Sequence, residues 1–216
     1  MVINLITQGL KERYKRLDNQ QQLGNTQQNN RSELKVAFVE SIDTISPQVW
    51  DGLMTDNNPF NKHAYLAALE QSGCVSQQTG WLPQHLVVSH SNEIVAVMPL
   101  YIKTHSYGEY IFDWAWAEAY ERHQIPYYPK LVSAIPFTPV TGLRIGVASS
   151  IASQGIWDVL TQALNERLVD DGFSSWHCLF LPKAQLQSMS HASASNDTCL
   201  NRLSTQFHWH NRDYQS

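Results

Sequence analysis

Apolar and polar positions alternate through LKVAFVESI (34–42), the period of a half-buried strand. The pattern then turns helical. Ser46-Pro47 sets a capping hydroxyl before a proline suited to a first helical turn. A second helix is predicted from near Asn58-Pro59, with Phe60, Tyr65, Leu66 and Leu69 at helical spacing and Gly73 as its C-cap. HLVVSH (85–90) and EIVAVMPLYIK (93–103) flank the two-residue turn Ser91-Asn92 and read as a β-hairpin. KLVSAIP (130–136) reads as a further short strand. Apolar residues at 156, 159, 160, 163, 164 and 168 fall on one face of a helix over 151–171, closed by Gly172. SSWHCLFLP (174–182) is then a buried strand, 183–201 a polar, Ser-rich connection, and FHWH (207–210) a last strand.

Ahead of this region, residues 1–17 are expected to form a short amphipathic helix, with Val2, Ile3, Leu5, Ile6, Leu10 and Leu17 as its apolar side. Residues 18–33 are a Gln/Asn-rich tract with almost nothing to bury, the composition of a linker. The folded region is therefore expected over 34–216. Its order, β-α-α-β-β-insert-β-α-β, implies an α/β (α+β) fold with a mixed central sheet and helices on both faces.

Composition narrows the function. A formal net charge of −4 lacks the basic balance of a DNA-binding protein that works by neutralising phosphates. No stretch approaches the ~18 apolar residues of a membrane span, and the start has neither the apolar run nor the cleavage site of a secretory signal. Three widely spaced cysteines without C-x-x-C signal neither a disulfide framework nor a zinc knuckle. The expectation is a cytoplasmic protein. Nine histidines invite a metal reading, but no Cys or carboxylate completes a ligand set at usual spacing, so no metal is expected. No G-x-S-x-G elbow or Ser-His-Asp order suggests a hydrolase.

The densest chemistry lies from Tyr101 to Arg144, which interleaves titratable side chains with Trp114, Trp116 and several tyrosines, the make-up of a ligand-cleft wall. NPF (58–60), ALEQSGCV (68–75), GWLPQHL (80–86), PLYIKTHSYGEYIFDWAWAEAY (99–120), YYPKL (127–131), PFTPVTGLR (136–144) and QFHWHN (206–211) occur in order. With that element order, this set resembles the FemAB-like, peptidoglycan biosynthesis/recognition branch of the GNAT acyltransferase superfamily, over roughly Leu34 to the chain end.

The resemblance implies a bacterial protein with a GNAT-like fold that moves an acyl group from acyl-CoA, or an aminoacyl group from aminoacyl-tRNA, to an amine acceptor such as a peptidoglycan precursor. It further implies a chain continuing into a second lobe, so that this sequence would be a single N-terminal lobe. The alternative is a non-catalytic binding lobe for a cell-wall precursor or a protein, self-associating or docking a partner through the apolar face left bare. Acetyl-CoA or another acyl-CoA remains a candidate donor, although GLRIGVASSIASQG lacks the R/Q-x-x-G-x-G/A spacing of a pyrophosphate loop.

Within this frame Glu109 and Asp113, four apart, are candidate general bases toward the amine; a cap or turn role stays open for either. Lys103, His105 and Tyr107, at or after a strand end, are candidates for binding a substrate, the first two through its anionic groups. Trp116, Tyr128, Lys130 and Phe137 would line the acceptor site, one of Trp114 and Trp116 being expected in the core. Thr138, Thr141 and Arg144 would hold a phosphate or carboxylate, a turn role being equally open for each threonine.

Overall fold

The structure, a computed structural model, describes residues 2–6, 34–193, 199–203 and 209–214. Ten strands are found among them: β1 (Val2–Ile6), β2 (Leu34–Val39), β3 (Trp81–Pro83), β4 (His85–His90), β5 (Glu93–Met98), β6 (Tyr101–Lys103), β7 (Lys130–Ser133), β8 (Gly146–Val147), β9 (Ser175–Leu179) and β10 (Cys199–Arg202). The α-helices are α1 (Pro47–Leu53), α2 (His63–Gln71), α3 (Trp114–Arg122), α4 (Ser153–Asp170) and α5 (Lys183–Ser193). One sheet runs β10-β1-β9-β7-β6-β3, the other β2-β4-β5-β8. The β7–β9 pair is parallel, and the remaining described pairs are antiparallel. The fold is mixed α/β, as the patterning implies.

A proline decides how the hairpin serves both sheets. The apolar run 93–103 is broken at Pro99-Leu100, where a residue without an N–H cannot continue a ladder. Its first half becomes β5 in the four-stranded sheet and its second half β6 in the six-stranded one. Gln84 divides β3, which ends on Pro83 paired with Tyr101, from β4, and its N–H donates to Leu100 O at 2.8 Å across the crossing point.

Helices α4 and α5 cover one face of both sheets. Ile156, Trp157, Leu160, Leu164 and Leu168 of α4 are buried against Leu86, Val88, Met98, Leu131, Trp176 and Cys178. Each such side chain contributes about 1.5–3 kcal/mol on leaving water. Helices α1 and α2 cover the far face of the four-stranded sheet, with Trp50, Met54 and Leu66 over Val87 and Val97. The far face of the six-stranded sheet carries a smaller apolar cluster of Trp81, Tyr101, Val132, Ala134 and Leu179. Beside that cluster lies a group of buried charges.

Several expectations are corrected. Val2–Ile6 is a strand, not the start of a helix, and pairs antiparallel with β9 and β10. The remainder of that expected helix and the linker 18–33 lie outside the described residues. Helix α2 starts at His63, because Pro59–Asn61 is first a 3-10 turn capped by Asn58. The polar stretch after Pro182 is a helix: Leu186, Met189 and Ala192, three apart, supply a narrow apolar stripe that packs against the α4 core. The expected strand at 207–210 lies partly outside the described residues, and Trp209 and His210 are irregular.

Candidate functional site

Side chains alternate along a strand, so register alone brings distant residues together. Lys103 on β6 faces Lys130 on β7 in register, and Val132, two residues on, faces His177 on β9. Lys103, Lys130 and His177 therefore share the sheet face that α4 and α5 leave free. The loop after β6 turns back over them. Gly108 has φ +80, and a Cβ there would lie 2.7 Å from the Phe137 ring, so this close turn requires glycine. Its carbonyl accepts from Phe137 N at 3.1 Å. Lys103 Nζ and Trp81 Nε1 both donate to Tyr107 O, each at 3.2 Å, and the ammonium lies 3.8 Å from the Trp81 ring centroid. So fastened, the loop sends Glu109 inward, and Asp113 follows just before α3.

The two carboxylates meet on one ammonium. Lys130 Nζ donates to Glu109 Oε2 at 2.9 Å and to Asp113 Oδ2 at 2.5 Å, with all three side chains buried. Asp113 Oδ2 is also 3.5 Å from His177 Nδ1, its Oδ1 is 3.7 Å from the half-exposed Arg202 guanidinium, and Tyr127 hydrogen-bonds the carboxylate. Glu109 Oε1 has no hydrogen-bond partner among the described residues.

Position thus separates two chemically equivalent groups. Burial pushes Glu109 up to about 7 against the pull of its share of Lys130. Burial pushes Asp113 the same way, but Lys130, His177 and the Tyr127 hydrogen bond outweigh it and hold Asp113 below the ordinary carboxylate range. Burial lowers Lys130 too, but the two carboxylates win and keep it charged. Lys103 has Glu109 as its counter-charge, and desolvation brings it down to about 7.

His177 Nε2 lies 2.8 Å from Ser175 Oγ and its Nδ1 3.5 Å from Asp113 Oδ2, the order of an acyl-transfer triad, but Nδ1 makes no hydrogen bond among the described residues. That order does not make Ser175 a nucleophile. Burial, with Lys130 nearby, depresses His177 to about 3, leaving it a poor acceptor for a serine proton at neutral pH.

Of the residues singled out in the sequence, Lys103, Glu109, Asp113 and Lys130 come together. Tyr128 is half-buried beside them and hydrogen-bonded to Ser106. Tyr107, Trp116 and Phe137 are exposed around the loop. Neither Trp114 nor Trp116 enters the core, because both lie on α3, a helix with no buried residue, and Trp114 stacks on Phe112 at 4.7 Å. Lys103 is turned inward onto Trp81 and Tyr107 O. His105 accepts from Tyr107 N, and burial and Lys103 lower its pKa, favouring the neutral ring over an anion-binding one.

Arg144 is likewise structural. It is fully buried and donates to the carbonyls of Leu179, Gly142, Leu143 and Val140 at 2.7–3.1 Å, which spends its fork on the chain. Thr138 bonds Pro136 O and Tyr65, a turn role, and Thr141 is exposed. His177, Ser175 and Arg202 escaped the sequence reading, and Tyr127 entered it only as part of YYPKL. The available signal was a histidine and a serine inside the apolar run SSWHCLFLP, where a buried titratable group requires a partner.

Gly142 and Gly146 are not shaped as a cradle for a pyrophosphate. A Cβ at Gly142 would strike Asn58, Asp56 and Asn61, and one at Gly146 would strike the Leu53 backbone; both glycines accommodate the chain itself. Among the described residues no group of three His, Cys, Asp or Glu is placed to hold a metal ion, and no helix is long and apolar enough to cross a membrane.

The model of the FemAB-like family, described as peptidoglycan biosynthesis/recognition, matches residues 41–216 and so spans the cluster from Lys103 to Arg202. The chain belongs to the FemAB-like family. Two solved structures resemble this FemAB-like chain distantly. A ribosomal-protein-alanine N-acetyltransferase from Brucella melitensis biovar Abortus is 10% identical at a TM-score of 0.45, covering 82% of this chain and 100% of its own. An aminoglycoside acetyltransferase from an uncultured soil metagenomic sample is 15% identical at 0.44, covering 83% and 97%. No curated protein matches the FemAB-like chain.

Proposed function

We propose that this FemAB-like chain transfers an acyl or aminoacyl group to an amine, with Glu109 as general base. The observation that carries the reading is the division between the two carboxylates. Asp113 is held below the ordinary carboxylate range, chiefly by Lys130, while burial poises Glu109 at about 7; each keeps one oxygen without a hydrogen-bond partner. Two acids pushed apart by their surroundings are the signature of divided acid–base roles, and a base near the working pH is the effective one. The amine nitrogen attacks the carbonyl carbon of the activated donor, and its proton passes to Glu109. The carbon–oxygen or carbon–sulfur bond to the leaving group then breaks, and that group takes up a proton. The chain's own residues hold the base, exclude water around it and fix the neighbouring charges.

Family membership supports a peptidoglycan precursor in the bacterial cytoplasm as the acceptor. Acyl-CoA and aminoacyl-tRNA are the two donor classes. The exposed rings of Tyr107, Tyr110, Phe112 and Trp114 favour a second reading, a surface that binds such a precursor or a partner protein without chemistry. Purified protein assayed with labelled acetyl-CoA, and separately with charged tRNA, against a muramyl-pentapeptide precursor separates the two. Labelled product, reduced about 100-fold or more in kcat by E109Q, supports transfer. Precursor binding without product from either donor sinks it in favour of the binding surface, and an unchanged rate in E109Q removes Glu109 as base.

A further inference from the structure

The cations around the site differ in what already occupies their nitrogens. Lys130 Nζ is shared between Glu109 Oε2 and Asp113 Oδ2, and Lys103 Nζ is taken up by Tyr107 O and the Trp81 ring. The Arg144 guanidinium is taken up by four backbone carbonyls. All three side chains are buried. Arg202 differs on both counts. Its side chain is 45% exposed, and its guanidinium makes no hydrogen bond among the described residues. It meets Asp113 Oδ1 at 3.7 Å, too far for a hydrogen bond, and that buried oxygen has no hydrogen-bond partner either. Asp113 is instead bonded to Lys130, so the ion pair leaves the donors of Arg202 unused.

Backbone placement shows how this cation reaches the site. Arg202 ends β10, an edge strand that pairs with β1, and Val2 stands in register between Arg202 and Leu179 of β9. Two strand spacings, roughly 10 Å, separate β10 from β9. The side chain must therefore reach back across β1 toward Asp113, which arginine is long enough to do while its head stays in water. A guanidinium with one edge toward a carboxylate and others open to solvent suits a bidentate oxyanion.

The same geometry says whose oxyanion it is. Arg202, Asp113, Lys130 and Glu109 follow one another contact by contact. An anion on Arg202 thus lies on the side where an amine would give up its proton. We propose that Arg202 selects the acceptor, binding a carboxylate or phosphate oxyanion carried by the same molecule as the reacting amine. This rests on Glu109 being the base in assigning the anion to the acceptor; the recognition of an anion by Arg202 does not.

The test is calorimetric titration of the full chain without donor, so that no turnover is needed. The probes are glycine, 4-aminobutanoate and 6-aminohexanoate, each against its own carboxamide, which keeps the shape and removes the charge. The series samples the spacing between amine and anion. At least one acid is expected to bind about tenfold more tightly than its amide, and R202M should abolish that preference. In the wild type itself, the Arg202 Nε–H resonance should shift with that acid and stay still with the amide, a reading that holds even if R202M fails to fold. A preference that survives in R202M, a preference absent at every length, or a resonance unmoved by the acid overturns the proposal. Coenzyme A titrated alongside separates the two sources of an oxyanion: weaker coenzyme A binding in R202M with the acid preference intact gives Arg202 to the donor and sinks the acceptor assignment. An unchanged transfer rate in E109Q defeats the base reading instead, and the comparison of acid with amide still judges Arg202.

Discussion

Replacing Glu109 by glutamine, or Lys103 by methionine, preserves much of each side chain's shape, so pH can be used to read each charge separately. Glu109 rises from 4.5 to about 7 on folding. The folded chain then holds a proton that the unfolded chain has lost, and the stability this gives is full below 4.5 and lost as pH rises through about 7. Lys103 falls from 10.5 to about 7, so its contribution is full above 10.5 and lost as pH falls through about 7. The pair is therefore at its least favourable near neutrality. Melting curves recorded across this range should show the wild type losing Tm from the acid side toward pH 7 and regaining it on the alkaline side. E109Q should flatten the first limb and K103M the second. Matching Tm–pH curves for E109Q and the wild type would mean that Glu109 titrates normally.

The loop from Thr104 to Asp113 exists as an element only because Gly108 admits Phe137 against its backbone. Gly108→Ala adds a Cβ 2.7 Å from that ring at φ +80 and should cost about 1–3 kcal/mol. F137A placed on top of it removes the closest clash but neither the backbone strain nor the Trp81 Nε1 contact at 3.1 Å, so chemical denaturation should show only partial recovery. Full recovery would mean that neither φ nor the Trp81 contact matters much here. The same loop marks where sequence reading stopped. The hairpin, α4 and the buried run that becomes β9 were legible because their apolar periods are long and their ends are marked by Gly172 or Ser91-Asn92. Helix α3 was not, because none of its residues is buried. Helix α5 hid its stripe of Leu186, Met189 and Ala192 among polar residues. Lys103, Glu109, Asp113 and Lys130 stood out as charges in an aromatic segment. His177 did not, since its place beside Asp113 follows from a parallel pairing of β7 with β9 that no local pattern announces.

Across the molecule, Lys130 is where the β6 loop, the start of α3 and β7 meet in a single buried charge, with β9 supplying His177 one contact away. Burying an ion network seldom stabilises a fold, because desolvation offsets the attraction, whereas removing one member strands the others. K130M should accordingly cost about 3–5 kcal/mol, leaving two carboxylates together without their cation. Neutralising those carboxylates as well, in the triple variant K130M/E109Q/D113N, removes the stranded charges while keeping side chains of similar size. If the cluster is kept for chemistry and not for stability, the triple variant should regain most of the loss in urea unfolding while showing no transfer activity. A triple variant as unstable as K130M would instead make the ion network itself the fastening of this sheet face. Its inward position would then be explained by folding, and the case for Glu109 would rest on kinetics alone.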